Sequence, residues 1–209
     1  MKKLALALVA SSFVAGAATA DINTGFYLGA GIGAGSVNAN IQDSVNNLDV
    51  KSNIGRSRIE GSLYAGYGFV TGCTYLGGEF GYTFAGAKVG QSVTVGNLAG
   101  SGFTIQQRNI WNFAVLAGQK VSPSTMIYAR LGLNLANYKL EAFETDAGVT
   151  TQYPGDSKNK ASFAPGLGIE TAVTKNVRVR LQYVYDLGAK IGDSNVRAQS
   201  ATLGVAYKF

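Results

Sequence analysis

Arginine and carboxylate side chains are the groups that could do chemistry in this sequence, because it has no histidine and a single cysteine, Cys73. Histidine is the commonest general base and metal ligand near neutral pH, so its absence argues against most hydrolase mechanisms and most zinc sites. One cysteine can form neither a disulfide within the chain nor a cysteine-cluster metal site. We therefore predict a protein that is not an enzyme, with no catalytic residue, no cofactor and no metal.

Charged residues make up only 14% of the sequence, and several of them share a face with glycine and other small residues. The residues that we single out are Glu79, Arg130, Glu170 and Arg180, with the neutral Gln182 beside them. Counted from the ends of their segments, the four charges lie at similar heights, about four or five residues in. Charges of opposite sign held away from water should pair, because an isolated charge there costs several kcal/mol.

Alternation of apolar and polar residues recurs along the chain and indicates β-strands. In the segment 59–69, Ile59 and Leu63 share one face, while Glu60 and Ser62 share the other. The same pattern predicts eight strands, near 25–36, 58–69, 75–86, 108–121, 126–138, 161–173, 177–186 and 196–209. These lengths bracket the roughly 9–11 residues that a tilted transmembrane strand requires.

The connections between these segments alternate between short and long. Short turns are expected at 70–74, 122–125 and 174–176, and long polar loops at 37–57, 87–107, 139–160 and 187–195. This alternation predicts an all-β protein, an eight-stranded antiparallel up-and-down transmembrane β-barrel with both termini in the periplasm. A soluble exported barrel is the alternative, and apolar residues in 37–57 leave a strand extension open there.

Aromatic residues cluster toward the ends of the predicted strands. We expect Phe26 and Phe69 at one rim of the barrel, and Phe84, Trp111, Phe163 and Tyr183 toward the other. Amphipathic rings are favoured at the level of lipid headgroups, which explains two such rims in a membrane barrel. The aromatic rims therefore favour the transmembrane barrel over the soluble one.

The first twenty residues have the pattern of a secretory signal peptide. Lys2 and Lys3 precede an apolar run that ends in the small residues Ala18-Thr19-Ala20. We predict a cleaved signal peptide at 1–20 and a barrel domain at 21–209. The formal net charge of +6, from which Lys2 and Lys3 are then lost, is too small to predict a nucleic-acid partner.

The last strand, 201–209, alternates outward apolar residues and ends in Tyr207-Lys208-Phe209. It resembles the C-terminal signal of Gram-negative outer-membrane proteins, which implies recognition of Tyr207 and Phe209 by the barrel-assembly machinery. The segments 127–132, 166–176 and 179–186 are similar to strands of small OmpA/OmpX-type barrels. Full-length OmpA proteins continue into a peptidoglycan-binding domain, and with Phe209 as the last residue we expect no such domain here.

The four charges can then be assigned a place inside the barrel. The interior of an eight-stranded barrel is just wide enough for side chains to fill. We interpret Glu79, Glu170, Arg130 and Arg180, helped by Gln182, as a salt-bridged plug. The alternative interpretation is a selectivity or gating cluster in a narrow pore.

Function is expected to lie in the connections. We predict a monomeric, surface-exposed outer-membrane protein that supports envelope integrity and contacts a host ligand through four long extracellular loops. The alternative is a narrow porin-like channel for small solutes or ions. The other expected partners of the protein are outer-membrane lipid and lipopolysaccharide. Basic residues near the outer rim could contact the phosphates of lipopolysaccharide: Lys88, Arg108, Lys139, Lys158 and Lys160.

Overall fold

The structure is a computed structural model that describes residues 21–45, 48–95, 99–146, 149–191 and 194–209. The predicted signal peptide at 1–20 lies outside the described residues. Eight strands follow one another: β1 (Gly25–Val45), β2 (Leu48–Thr71), β3 (Thr74–Val95), β4 (Ala99–Lys120), β5 (Thr125–Asp146), β6 (Val149–Ala172), β7 (Val177–Ile191) and β8 (Ser194–Lys208). Among the described residues, no helix has the length and apolar character to cross a membrane.

The strands close into a barrel. Each pairs antiparallel with the next along the chain, and β1 pairs with β8 from Tyr27↔Lys208 to Asn40↔Asn195. Each strand therefore has a hydrogen-bonded neighbour on both sides and the barrel contains no edge strand, which is the condition for a β-structure to span lipid. The predicted eight-stranded antiparallel up-and-down barrel is confirmed.

Three tight turns and both ends of the described chain lie at one end of the barrel, which we call the terminal end. The turn between β2 and β3 contains Gly72, whose φ of 59° is a left-handed conformation that glycine adopts without strain. In the turn between β4 and β5, the Val121 amide donates to the Thr125 carbonyl at 2.9 Å. These turns are the short connections that the sequence predicts.

At the opposite, distal end the predicted long loops are wrong, and for 37–57 the structure has the strand extension that the sequence left open. The segments 37–57, 87–107, 139–160 and 187–195, which we call the hairpin extensions, are mostly paired strand; β1 and β2, for example, stay in register to Val45↔Leu48. Where neither face has to meet lipid, polar side chains can occupy both faces, so the period-2 signal disappears although the backbone pairing continues.

Register irregularities mark where three of the hairpin extensions begin. They lie between Phe84 and Ala87 in β3, between Lys139 and Glu141 in β5, and between Asp186 and Ala189 in β7. Such bulges increase the local twist of a strand and are common at barrel rims. The described register of β1 with β2 continues without an interruption.

The outer face between the terminal end and the extensions is an apolar belt. Its large side chains are exposed, from Phe26 (67%) near the terminal end to Phe84 (52%) near the extensions. Phe84 lies about ten residues into β3, and about ten residues of a tilted strand rise roughly 25 Å, the height of the lipid-facing band of membrane barrels. The belt contains packed rings, among them Phe80 and Trp111 with centroids 5.4 Å apart.

Candidate functional site

The lumen is built by alternation, because every second residue of each strand points inward. Large inward rings are accommodated by inward glycines on neighbouring positions. A Cβ atom on Gly68 would lie 2.6 Å from the Tyr75 ring, and one on Gly29 would overlap the ring of Tyr64. These inward tyrosines are buried, and together they exclude water from the terminal half of the lumen: Tyr27, Tyr64, Tyr75 and Tyr128.

Arg180 is the centre of a buried charged layer. It forms an ion pair with Glu79 and a second with Glu170, to which its Nε and Nη2 donate at 2.9 and 2.7 Å. Its guanidinium also lies over the ring of Tyr64, 4.5 Å from the centroid. The Tyr27 hydroxyl donates to Glu79 at 3.1 Å, so both carboxylates have several donors.

Arg178 belongs to the same layer; alternation puts it on the inward face, but the predicted charge cluster did not include it. Its Nη1 donates to Glu170 at 3.1 Å, and its Nη2 donates to the Asn23 carbonyl at 2.7 Å. Arg178 and Arg180 are two residues apart and share the inward face, as the period-2 pattern predicts, but the pattern does not show that both reach Glu170. We call Glu79, Glu170, Arg178 and Arg180 the charged layer.

Arg130 does not join the charged layer: among the described residues no carboxylate lies within ion-pair distance of it, so its predicted salt bridge is not found there. It is buried (3% exposed) and donates to the Ala164 carbonyl and to Asn112 Oδ1, each at 3.3 Å. Counting from strand ends ignores the stagger of a barrel. In the register, Arg130 pairs with Gly166 and Gly166 with Val184, which lies four residues beyond Arg180.

Gln182 is bonded to a tyrosine, and no hydrogen bond among the described residues joins it to the charged layer. Its Oε1 accepts a hydrogen bond from the Tyr128 hydroxyl at 3.0 Å. Of the five residues predicted for the cluster, the structure therefore brings Glu79, Glu170 and Arg180 into direct contact and keeps Arg130 and Gln182 at its distal side.

A hydrophobic cluster closes the lumen at the terminal end, and sequence reasoning missed it. Its members, which we call the terminal seal, are Ile22, Tyr75, Leu116, Met126, Tyr128 and Ala172. Ile22 precedes β1, is fully buried, and donates its amide to the Pro123 carbonyl at 3.0 Å. Ile22 lies before the alternating segment of β1, so no pattern in the sequence indicated that the chain folds back into the barrel mouth at this residue.

The distal half of the lumen contains a second set of charges. Arg58 and Glu60 form an ion pair at 2.9 Å. The carboxylate of Asp186 accepts from Asn134 at 2.8 Å, from Ser162 at 2.9 Å and from the Gly188 amide at 2.9 Å. Between this set and the charged layer lies a cavity of about 70 Å³. Among the described residues, no group of three or more histidine, cysteine, aspartate or glutamate side chains could hold a metal ion.

The residues predicted for the rims all face outward. Exposure of the six side chains ranges from 44% to 67%: Phe26, Phe69, Phe84, Trp111, Phe163 and Tyr183. Trp111 stacks within a group of rings on β3 and β4, with its centroid 4.5 Å from that of Tyr82. Tyr207 and Phe209 pack edge to face at 5.2 Å on the outer wall. Their roles at the headgroup level and in assembly stay predictions.

A closed eight-stranded barrel with an apolar outer belt and a polar, side-chain-filled lumen is a transmembrane β-barrel. The model of one family, the OmpA-like transmembrane domain, matches residues 21–209. The chain therefore belongs to the OmpA-like transmembrane domain family, and it is a protein of the outer membrane.

Solved structures with a similar fold include two small barrels. Ail, the attachment invasion locus protein of Yersinia pestis, solved with the heparin analogue sucrose octasulfate, is 16% identical; the match covers 90% of this chain and 100% of Ail, with a TM-score of 0.46. Neisserial surface protein A is 18% identical, with 88% of this chain and 97% of that chain covered and a TM-score of 0.49. No curated protein matches the sequence.

Proposed function

We propose that the barrel is a closed membrane anchor and that the protein acts through its hairpin extensions, which present a polar surface outside the cell for contact with a host ligand. The observation that carries this proposal is that the lumen is filled at two successive levels. The terminal seal is fully buried around Tyr75 and Leu116, and the charged layer above it is buried around Arg180. No continuous water path is expected through such a lumen.

We infer the orientation of the barrel in the membrane from its two ends, the terminal end and the hairpin extensions. The tight turns and both termini lie in the periplasm, and the hairpin extensions lie outside the cell, as in other outer-membrane barrels. The protein is monomeric, with the belt solvated by lipid and by lipopolysaccharide, and Tyr207 and Phe209 read by the assembly machinery. It supports the envelope without catalysing a reaction.

Replacement of residues 41–52 by an Asn-Gly turn, which keeps the pair Asn40↔Asn53 in register, tests this function. Asn-Gly favours the tight hairpin turn needed to rejoin β1 and β2. Bacteria that display the shortened protein should bind fewer cultured host cells than bacteria with the full chain, at equal surface amounts. A matched control shortens the fourth extension, between β7 and β8, which is the shortest of the four. Undiminished binding after all four extensions are shortened would rule out the proposal.

The second candidate function is a narrow channel, which the polar cavity between the two sets of lumen charges favours. Conductance in planar bilayers separates the two functions. We expect no stable openings from the purified wild-type protein. Stable single-channel steps that change in Glu79→Ala would instead support the channel, because Glu79 lies in the charged layer.

A further inference from the structure

The pairing that closes the barrel does not continue between all of the hairpin extensions. Among the described residues, β3 pairs with β4 as far as Val95↔Ala99, but with β2 only as far as Glu60↔Ala85. In the same way, β6 pairs with β7 only over 166–172. Beyond the closed barrel, the extensions therefore form two separate four-stranded sheets, β7-β8-β1-β2 and β3-β4-β5-β6.

Each of these sheets has two edge strands, and the four edges differ in sequence. Unpaired N–H and C=O groups of an edge can pair with a strand of another chain, and natural edges usually carry prolines, cationic residues or bulges that prevent this. The edge of β3 from Ala87 to Val95, which we call the open edge, has no proline and one charged residue, Lys88. The other three edges have such features: Pro154 and Pro165 in β6, Lys51 and Arg56 in β2, and a bulge near Gly188 with Lys190 in β7.

The open edge is complementary to a second copy of itself. Its sequence, AKVGQSVTV, is rich in β-branched residues and low in charge, which is typical of segments that pair between chains. In an antiparallel pair with its two-fold axis at Gln91, β-branched Val89 stands opposite Val93, and Lys88 meets no like charge. Each contact then occurs twice, as in any isologous interface. The opposed residues are Ala87 and Val95, Lys88 and Thr94, Val89 and Val93, and Gly90 and Ser92, with Gln91 opposite itself.

The direction of β3 determines where the second copy must lie. In every copy β3 runs from the turn at the terminal end toward the distal end, so copies in one membrane have their β3 strands pointing the same way. An antiparallel pair of open edges therefore requires two barrels that face each other from two opposed membranes. The residues 87–95 span about 30 Å as a strand, which sets the approximate distance between the two facing rims.

We propose that the open edge binds the open edge of a second copy in a facing membrane and so joins two cells by homotypic contact. The β3-β4-β5-β6 sheets of the two copies then form one continuous eight-stranded sheet through backbone hydrogen bonds. A single contact of this size is weak, but many copies between the same two membranes act together. The partner is another copy of this chain, so the contact is distinct from the proposed contact with a host ligand. Only the position of the extensions outside the cell rests on that proposed function.

Cysteine crosslinking between lipid nanodiscs that each hold one barrel tests the contact and its register. Opposed Cα atoms in an antiparallel pair are about 4.5–5.5 Å apart, within the range that a disulfide bridges. In a Cys73→Ser background, Gln91→Cys should therefore form a covalent dimer between discs under mild oxidation. Val89→Cys and Val93→Cys should crosslink when they are mixed. Neither should crosslink alone, because in this register the same residue of the second copy is four positions away, roughly 13 Å.

The wild-type protein is the control for random collision, because its single thiol, Cys73, is exposed at the terminal end. Addition of Val89→Lys and Val93→Lys to the Gln91→Cys variant places like charges opposite each other and should slow crosslinking at least about 10-fold. Val50→Lys, on β2, is the matched control and should leave the rate unchanged. If the double lysine variant does not fold, the three cysteine variants still determine the register.

The crosslinking pattern separates the possible outcomes. Dimers of Gln91→Cys and of the Val89→Cys and Val93→Cys mixture, without dimers of either alone, support the contact. Crosslinking of Gln91→Cys no faster than that of the wild type would overturn it. Crosslinking of Val89→Cys alone as fast as that of Gln91→Cys would also overturn it, since that pattern indicates a parallel pair or random collision. The discs contain no host ligand, so neither result bears on the proposed contact with the host.

Discussion

The two halves of the lumen contain the same numbers of described carboxylates and arginines, but these charges are paired differently in each half. The charged layer contains two carboxylates and two arginines, joined by three ion pairs centred on Arg180 and Glu170. Among the described residues, the distal half also contains two carboxylates and two arginines; Arg58 pairs with Glu60 there, while Arg130 and Asp186 bond to neutral groups. Composition alone therefore does not determine whether buried charges pair.

The difference comes from the residues around the charges. In the terminal half, inward glycines admit the rings of Tyr27, Tyr64 and Tyr128, and these rings surround the guanidinium of Arg180. With water excluded, each charge needs a charged partner. In the distal half a polar cavity remains, and Asn112 and Asn134 provide amide partners for Arg130 and Asp186. We expect the terminal half to carry most of the barrel's stability and the distal half to tolerate change.

Glu170→Gln should have the largest effect. The substitution keeps the shape of the side chain but removes the charge that accepts from Arg178 and Arg180, so Arg178 loses its carboxylate. Breaking a buried pair by removal of one partner costs about 3–5 kcal/mol. Urea unfolding in lipid, followed by tryptophan fluorescence, measures the loss.

Asp21→Asn is the control for Glu170→Gln. Asp21 also pairs with a cation, Lys120, but its side chain is half exposed at the terminal end, where screening by water leaves a pair with less than about 1 kcal/mol. Equal losses in the free energy of unfolding from the two variants would mean that burial does not make the ion pairs of the charged layer more important for stability than an exposed pair.

Gly66→Ala should have the second largest effect. A Cβ atom at Gly66 would overlap the Tyr27 ring and lie 2.6 Å from the Gly78 carbonyl oxygen, which belongs to the backbone and cannot move cheaply. Overpacking of this kind costs about 1–3 kcal/mol. Gly78→Ala is the matched control, because nothing lies within 4 Å of a Cβ atom there, and it should be close to neutral. Loss of backbone entropy in the unfolded chain would make both substitutions slightly stabilising, so a destabilising Gly78→Ala of the same size would contradict the assignment of the Gly66→Ala effect to ring packing.

Ile22→Ala tests the terminal seal and should cost about 1–2 kcal/mol. Truncation of a buried isoleucine typically costs about 2 kcal/mol or more, but Ile22 lies on a terminal segment that can detach without unfolding the barrel. Protection of the Ile22 amide against hydrogen exchange measures that local detachment. Val121→Ala, at an exposed position near the same end, should change neither protection nor stability. Unchanged protection in Ile22→Ala would show that the Pro123 hydrogen bond alone holds the segment.

The strand order and the belt could be predicted from the sequence because lipid forces a strict pattern. Where one face meets lipid and the other the lumen, as from Ile59 to Phe69, each residue type reports its face. The hairpin extensions lack this constraint, so 87–107 was predicted as a loop although its backbone pairs. Periodicity reports burial rather than hydrogen bonding, and it fails where both faces are polar.

The inward direction of the charges could also be predicted, but their partners could not. Alternation put Glu79, Glu170 and Arg180 on the inner face, where they contact each other. The partner of Arg130 depends on the stagger between strands, which a single sequence does not reveal. Ile22 was missed for a related reason, since its burial comes from the fold of the barrel mouth and from the Pro123 carbonyl.

Asp186→Asn should have the smallest effect and is the direct counterpart of Glu170→Gln. Both variants exchange a buried carboxylate for an amide of the same shape. The hydrogen-bond partners of Asp186 are the neutral groups of Asn134, Ser162 and Gly188, so its replacement leaves none of them as an unpaired cation. The amide oxygen can still accept from Asn134 and Ser162, which both donate to Oδ2, but the amide nitrogen takes the place of Oδ1 and cannot accept from the partly buried Gly188 amide. We therefore expect a loss of about 1 kcal/mol. Urea unfolding under the conditions used for Glu170→Gln gives the comparison. A loss as large as that of Glu170→Gln would mean that Asp186 is a hidden counter-charge of Arg130, and the two halves of the lumen would then be equally dependent on ion pairing.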